Sequence, residues 1–288
     1  MGGLKNTKRR IVSAKNTQKI TRAMKLVSSA KFARANHNIT KAKPFGDALD
    51  LMLARLAPLM EKFQSELILT QKRPERKILL IVITSDRGLC GALNTNILKA
   101  CNAFLEEMAS KDISTELLLW GKKAHIFKKK KQSEVLAASQ KVLEKPDYLH
   151  CKRELQKIIS DYKQGKWDAV YVAFSKFRNV ISQQPKIEPL LPYLPRVAEG
   201  QAVEWNILVE PSSVEFIEDV IETKLADTLF QILLNGSASE HAARMSAMDS
   251  ATNNADKVIK DLTLEYNRAR QAAITKELIE ITSGAEAL

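Results

Sequence analysis

The stretch MSAMDSATNNADKVIKDLTLEYNRARQAA, Met245 to Ala273, decides the fold. Met245, Met248, Thr252, Ala255, Ile259, Leu262, Tyr266, Ala269 and Ala273 step alternately three and four apart, and Thr252 is the one strongly polar rung. Spacing of this kind places every rung on one narrow helical stripe, which needs a second helix of similar length to cover it. An amphipathic helix lying on a globular core is the alternative, and the other end of the chain argues against it. There, Thr17, Ile20, Met24 and Val27 again step three, four, three. Small residues crowd both stretches, among them Ser13, Ala14, Ala23, Ser28, Ala30 and Ala33 at one end and Ala251, Ala255, Ala272 and Ala273 at the other. Small side chains let helix axes approach to the short end of the roughly 8 to 10 Å range. The expectation is an antiparallel coiled coil, with Ile20 to Val27 lying beside Ile259 to Ala273 and a seam of Ile20, Met24, Val27, Met248, Ile259, Leu262 and Tyr266.

Charge and proline divide the chain the same way. The first 46 residues hold twelve Lys or Arg and no Asp or Glu, so they account for the whole formal net charge of +12. All nine prolines fall between Pro44 and Pro211, leaving 43 and 77 residues at the ends without a helix breaker. Helices are therefore expected over Leu4 to Ala57 and Ser212 to Ser283. Between them, KILLIVITS (Lys77 to Ser85), STELLLWG (Ser114 to Gly121) and WDAVYVAFS (Trp167 to Ser175) read as buried strands. Helix-like stretches separate them, near Leu93 to Met108, Lys122 to Lys129 and Lys152 to Lys163, which is the pattern of α/β units. Four prolines from Pro185 to Pro195 suggest an irregular connection before a last strand, AVEWNILVE (Ala202 to Glu210). The fold class expected is α/β: a long antiparallel coiled coil of N- and C-terminal helices plus a central α/β (Rossmann-like) domain. Its parts are an N-terminal helix over 1–60, the central domain over 75–210 and a C-terminal helix over 212–288.

Chemistry is sparse. His37, His125, His150 and His241 are scattered without metal-ligand spacing. Cys90, Cys101 and Cys151 form no CxxC and no even framework, which fits a reducing compartment. SDRGLCGAL (Ser85 to Leu93) lies between strand and helix, where backbone amides can hold phosphate, but it is neither GxGxxG nor GxxxxGK[ST]. Six lysines within Lys122 to Lys131 read first as a solvated face. No run reaches the ~18 apolar residues of a membrane span. No catalytic residue, cofactor site or metal site is assigned.

Three blocks carry a resemblance. NTQKITRAMKLVSSAKFARA (Asn16 to Ala35), SDRGLCGALNTN (Ser85 to Asn96) and the stretch from Ser239 to Leu288 closely resemble the gamma subunit of F-type ATP synthases. The resemblance implies a non-catalytic rotor of the central stalk. Its paired helices would turn inside a hexamer of alpha and beta subunits, and its α/β domain would sit beside epsilon over the membrane ring of c subunits. Torque would pass between ion flow through the ring and ATP synthesis or hydrolysis. Lys15, Lys19, Arg22 and Lys25 become candidates for contact with an acidic lever of the beta subunits, and Arg270 and Gln271 match a polar contact to a beta catch loop. The end ITSGAEAL (Ile281 to Leu288), short in side chain and low in charge, fits rotation within an apolar collar. The basic start resembles a transit peptide in composition but continues into the seam, so a peripheral protein on the cytoplasmic face of a bacterial membrane is expected, with a mature organelle protein as the alternative. The chain departs from the family at Asn235 and Gly236, where a helix break with a restart at Ser237 to Glu240 is expected. It also lacks the cysteine-bearing regulatory insertion of the chloroplast type. Two rival readings are a nucleic-acid-binding protein using the basic arm on phosphates and an enzyme with a phosphate-binding α/β domain. Phe32 is the only aromatic before Phe45, so the arm lacks stacking partners for bases.

Overall fold

The computed structural model describes residues 2–129, 134–194 and 213–286. Two helices of unusual length open and close the chain, α1 (Gly2–Lys62) and α4 (Ser213–Glu286). Between them lie β1 (Lys77–Ile83), α2 (Leu93–Ser110), β2 (Ser114–Trp120), β3 (Glu134–Ser139), α3 (Tyr148–Lys163), β4 (Ala169–Phe177) and β5 (Gln183–Leu191). Contacts group the chain into two units, Met1–Ser29 with Arg244–Leu288, and Ala30–Ala243.

In the larger unit the five strands form one sheet in the order β3-β2-β1-β4-β5. β1 to β4 run parallel and β5 pairs antiparallel with β4. β1 is central, which explains why Lys77 to Ile83 is a continuous apolar run: both of its faces must be covered. Leu79, Ile81 and Ile83 pack on one side with Leu155, Ile158 and Tyr162 of α3, Leu53, Leu56 and Met60 of α1, and Ile217, Ile221 and Leu229 of α4. Leu80 and Val82 pack on the other with Leu93, Ile97 and Cys101 of α2. This is a three-layer α/β arrangement, with helices on both faces of a mostly parallel sheet.

The strand ends are held by polar staples. Asp168 accepts hydrogen bonds from the backbone N–H of Arg76 and of Lys77, both at 2.9 Å, tying the start of β4 to the start of β1. Buried Glu116 accepts from Trp167 Nε1 at 2.8 Å and pairs with Lys77 Nζ at 2.5 Å. At the end of β2, Gly121 has φ +102° and lies directly against the Thr84 carbonyl, so a Cβ there would overlap backbone. Gly121→Ala is therefore expected to cost about 3 kcal/mol or more, from positive-φ strain plus the clash. A thermal melt of the variant checks this.

Two strands were not legible in the sequence. β5 contains Pro185 and Pro189, which suggested an irregular connection. As an edge strand it tolerates residues that cannot donate to a ladder, because only its β4 side is paired. β3 is short, lies at the opposite edge and alternates only weakly. The stretch Lys122–Lys129 is a 3-10 helix rather than an α-helix. Ala202 to Glu210, expected as a strand, lies outside the described residues.

The long helices also depart from expectation. α1 runs through Pro44 and Pro58 to Lys62 instead of ending near Ala57. Both prolines are on its exposed side, where the carbonyls they leave unbonded are open to solvent, while Leu53, Leu56 and Met60 anchor the last turns in the core. α4 is unbroken at Asn235 and Gly236, with no restart at Ser237. Asn235 Nδ2 donates to the Gln231 carbonyl at 2.9 Å, and Gly236 faces buried Leu143, leaving room for less than a methyl group. The helix spends propensity at this glycine to gain close packing.

Where α1 meets α4 in this unit, Gly46 makes room for Asp227 and Gln231. Asp227 is only 1% exposed, and burial first of all pushes its carboxyl above the usual aspartate range. Lys224 and the hydrogen bond from Gln231 oppose that shift, whereas Asp50 and Asp47 add to it. A raised folded pKa means that this group stabilises the fold fully below its unfolded value of about 3.9, and that the benefit is lost as pH rises through the folded value. Asp227→Asn is expected to be more stable than the parent at neutral pH, with the difference shrinking as pH falls toward 4. Paired urea titrations across that range measure it.

Candidate functional surfaces of the helical shaft

The smaller unit is built from the first 29 residues of α1 and the last turns of α4 from Arg244 onward. Side-chain pairs join the helices. Gln18 Nε2 donates to Asp256 Oδ1, the hydroxyls of Thr21 and Thr252 lie 2.7 Å apart, and Lys25 Nζ pairs with Asp249 Oδ1 at 2.6 Å. Each step up α1 is a step down α4, so the two helices are antiparallel.

The pairs also correct the expected register and seam. Ile20 to Val27 lies beside residues near 247 to 254, not beside Ile259 to Ala273. On α1 the buried or half-buried positions include Leu4, Thr7, Ile11, Ala14, Gln18, Thr21, Lys25 and Ser28, which alternate three and four, with Met24 half-buried beside Lys25. Of the apolar residues proposed for the seam, Ile20 and Val27 sit beside it, 59% and 58% exposed, whereas Met24 is half-buried at its edge. On α4 the structure buries Met248, Thr252 and Leu262, half-buries Ile259, Tyr266 and Ala273, and leaves Ala269 exposed. The seam of α1 was missed because its polar members find partners on α4. Hydropathy cannot register such pairing.

What the seam does not use faces outward. Lys15, Lys19 and Arg22 are exposed at spacings of four and three, which puts them on one side of α1. Lys25, grouped with them from sequence, is instead engaged by Asp249. Arg270 and Gln271 are exposed near the far end of α4. Beside these polar groups lie Val12, Ile20, Leu26 and Val27 on α1, and Val258, Leu264, Ile274, Leu278 and Ile279 on α4, all exposed. A rod carrying this much uncovered apolar surface is suited to being enclosed by other proteins.

The loop after β1 is organised by its own side chains. Asp86 accepts from the backbone N–H of Lys122 at 3.0 Å and of Lys141 at 2.8 Å. Asn94 accepts from Ser85 N at 3.0 Å and donates to Ser85 Oγ at 2.7 Å. The polar residues of SDRGLCGALN thus hold the ends of neighbouring strands together. Leu89 and Gly91 take positive φ, 63° and 57°, so that the loop can fold back into α2. The shallow cleft beside it is bordered by Lys122, Lys123 and His125. All three cysteines are buried, and burial pushes the Cys101 and Cys151 thiols up to about 12, which removes the thiolate needed for redox exchange. Among the described residues no group of three or more His, Cys, Asp or Glu could hold a metal ion, and no helix is long and apolar enough to cross a membrane.

An antiparallel two-helix shaft built from the two ends of the chain, with an α/β domain encoded between them in sequence, defines the class of protein. The family follows from comparison. Residues 3–288 match the family model described as ATP synthase. The ATP synthase gamma chain of Geobacter metallireducens is 42% identical over 288 residues, covering 100% of this chain and 99% of the relative. That of Pelagibacter ubique is 37% identical over 291 residues, covering 100% of both. This chain belongs to the ATP synthase gamma-chain family. Among solved structures, a chain of the Euglena gracilis mitochondrial ATP synthase (OSCP/F1/c-ring, rotational state 3) is similar in fold, with a TM-score of 0.66 at 18% identity over 99% of this chain and 94% of that one. A chain from the central stalk and c-ring of the Tetrahymena thermophila mitochondrial enzyme gives 0.58 at 24% identity, covering 81% and 99%.

Proposed function

We propose that this chain is the central-stalk rotor of an F-type ATP synthase, transmitting torque between a membrane ring of c subunits and a catalytic hexamer of alpha and beta subunits. It is not itself catalytic. The observation that carries the reading is the full-length match to bacterial gamma chains, 42% identical end to end, in a chain whose two ends pair into a shaft. In this role the shaft biases the catalytic sites. A rotor changes nucleotide affinity at a site only by contacting its alternative conformations unequally. Taking one site from 1:99 to 99:1 needs roughly 5.5 kcal/mol of differential contact, more than one surface pair supplies. Several contacts must therefore act together. Lys15, Lys19 and Arg22 are assigned to an acidic lever of beta, Arg270 and Gln271 to a beta catch loop, and the exposed apolar residues to the bearing around the shaft. Epsilon and the c subunits would be met by the α/β domain, with peripheral attachment at the cytoplasmic face of the membrane through the ring.

Mixing the purified chain with alpha and beta subunits of a bacterial ATP synthase tests the proposal. Co-elution as one complex with ATPase activity supports it. Failure to assemble, together with salt-sensitive binding to random-sequence DNA, would favour the nucleic-acid alternative that the basic arm first suggested.

A further inference from the structure

The coiled coil is polar where a coiled coil is ordinarily apolar. Over two turns of α1 the covered positions Gln18, Thr21 and Lys25 each have a partner on α4. Their arrangement is ordered by chemistry. The central pair is buried and neutral, and the outer two are partly exposed and each includes a carboxylate. Along the helix axis, Gln18 lies ~4.5 Å to one side of Thr21 and Lys25 ~6 Å to the other.

The threonines add a proton count. Thr252 Oγ1 lies 2.7 Å from the Met248 carbonyl, and Thr21 Oγ1 lies 3.0 Å from the Gln18 carbonyl. Two hydroxyl protons serve three contacts, so one threonine donates across the seam while the other donates to its own helix. Either assignment keeps the cross-helix bond.

Twisting a pair of helices about their common axis tilts them in opposite senses, so torsion changes the crossing angle. Apolar seams resist this weakly, because dispersion contacts depend little on direction. Hydrogen bonds and ion pairs with a defined donor–acceptor line resist it more. Scissoring about Thr21 and Thr252 would displace Gln18 from Asp256 in one direction and Lys25 from Asp249 in the other. We propose that these six residues form a torsional brace, in which the threonine pair is the pivot and the two carboxylate pairs are the stays, setting how much the shaft twists under load. The inference rests on the rotor reading above and assigns these residues to positioning the shaft, not to contact with a partner.

The test is single-molecule rotation of the assembled alpha, beta and gamma complex, with a bead attached to a cysteine introduced at Ile181, which is 90% exposed at the tip of the β4–β5 hairpin. Angular variance during catalytic pauses is inversely proportional to torsional stiffness. Asp249→Ala with Asp256→Ala removes both stays. Charge-assisted bonds are roughly twice as strong as neutral ones, so variance should rise at least about two-fold. Thr21→Val with Thr252→Val removes the pivot by isosteric replacement of both partners, which leaves helix pairing intact or stronger. Its melting temperature should hold or rise while its variance increases, a split that a purely structural role would not give. Lys25→Asp with Asp249→Lys should return the variance most of the way to the parental value. If the double-alanine variant does not assemble, the threonine and charge-swap variants carry the test. Unchanged variance in the assembled variants would overturn the brace and leave the rotor intact. A parental complex that assembles but does not rotate would overturn the rotor reading itself.

Discussion

Leu262→Asp is expected to abolish stable assembly. Leu262 is 6% exposed and is among the few α4 side chains buried within the shaft. An aspartate there has no cation on its own stripe: the rungs on either side are Ile259 and Tyr266. Burying an unpaired carboxylate costs several kcal/mol unless the group protonates or the helices separate. Separation is the easier outcome, because few large side chains hold this section of the shaft. The complex should appear on a native gel as free alpha and beta subunits, while the α/β unit, with its own two-sided core, keeps its strand and helix signals by circular dichroism. Leu264→Asp supplies the contrast. It lies two residues away, is 57% exposed, and should leave pairing of the two helices intact. Equal assembly of both variants would show that Leu262 does not hold the helices together.

The two helices differ in how much of this was legible. On α4 the covered rungs are mostly apolar, and Met248, Ile259 and Leu262 could be read from spacing alone. On α1 the same alternation of three and four exists but is carried through Gln18, Thr21, Lys25 and Ser28. A reading that follows hydrophobicity moves to the adjacent stripe of Ile20, Met24 and Val27. Placing that apolar stripe beside Ile259 to Ala273 then displaced the register as well. Exposed Ile20 and Val27 fit the bearing surface proposed above, a constraint that composition cannot separate from burial. The sheet followed the same logic. Doubly covered β1 announced itself, whereas β5, with prolines at an edge, did not. Gly236 misled in the opposite direction: its propensity cost was visible, and the close approach of Leu143 that offsets it was not.

For the proposed catch-loop contact the expected result is a loss of coupling without a loss of assembly. Arg270 and Gln271 are both exposed: Gln271 lies across α4 from the half-buried Tyr266 and Ala273, while Arg270, one turn from Tyr266, borders that stripe without being covered, so truncating both to Ala removes no covered side chain. Alanine also favours helix at these positions. The Thr275 hydroxyl bonds to the Gln271 backbone carbonyl, which the substitution retains. What disappears is a guanidinium and a carboxamide able to hydrogen-bond a partner loop, and bonds to charged groups are worth about 1.5 to 3 kcal/mol each. With a tenfold change for each ~1.4 kcal/mol, ATP hydrolysis and ion-driven synthesis should both fall about tenfold or more. Subunit stoichiometry should stay normal. Charge reversal at Lys15, Lys19 and Arg22 should behave differently. Exposed charges are screened over roughly 8 to 10 Å, so that defect should weaken as salt is raised. The Arg270 and Gln271 defect should persist, since a short directional contact enclosed by protein is little affected by added ions. Normal activity in both directions from a fully assembled double variant would remove these two side chains from the coupling path and leave the load to the lysine and arginine face of α1.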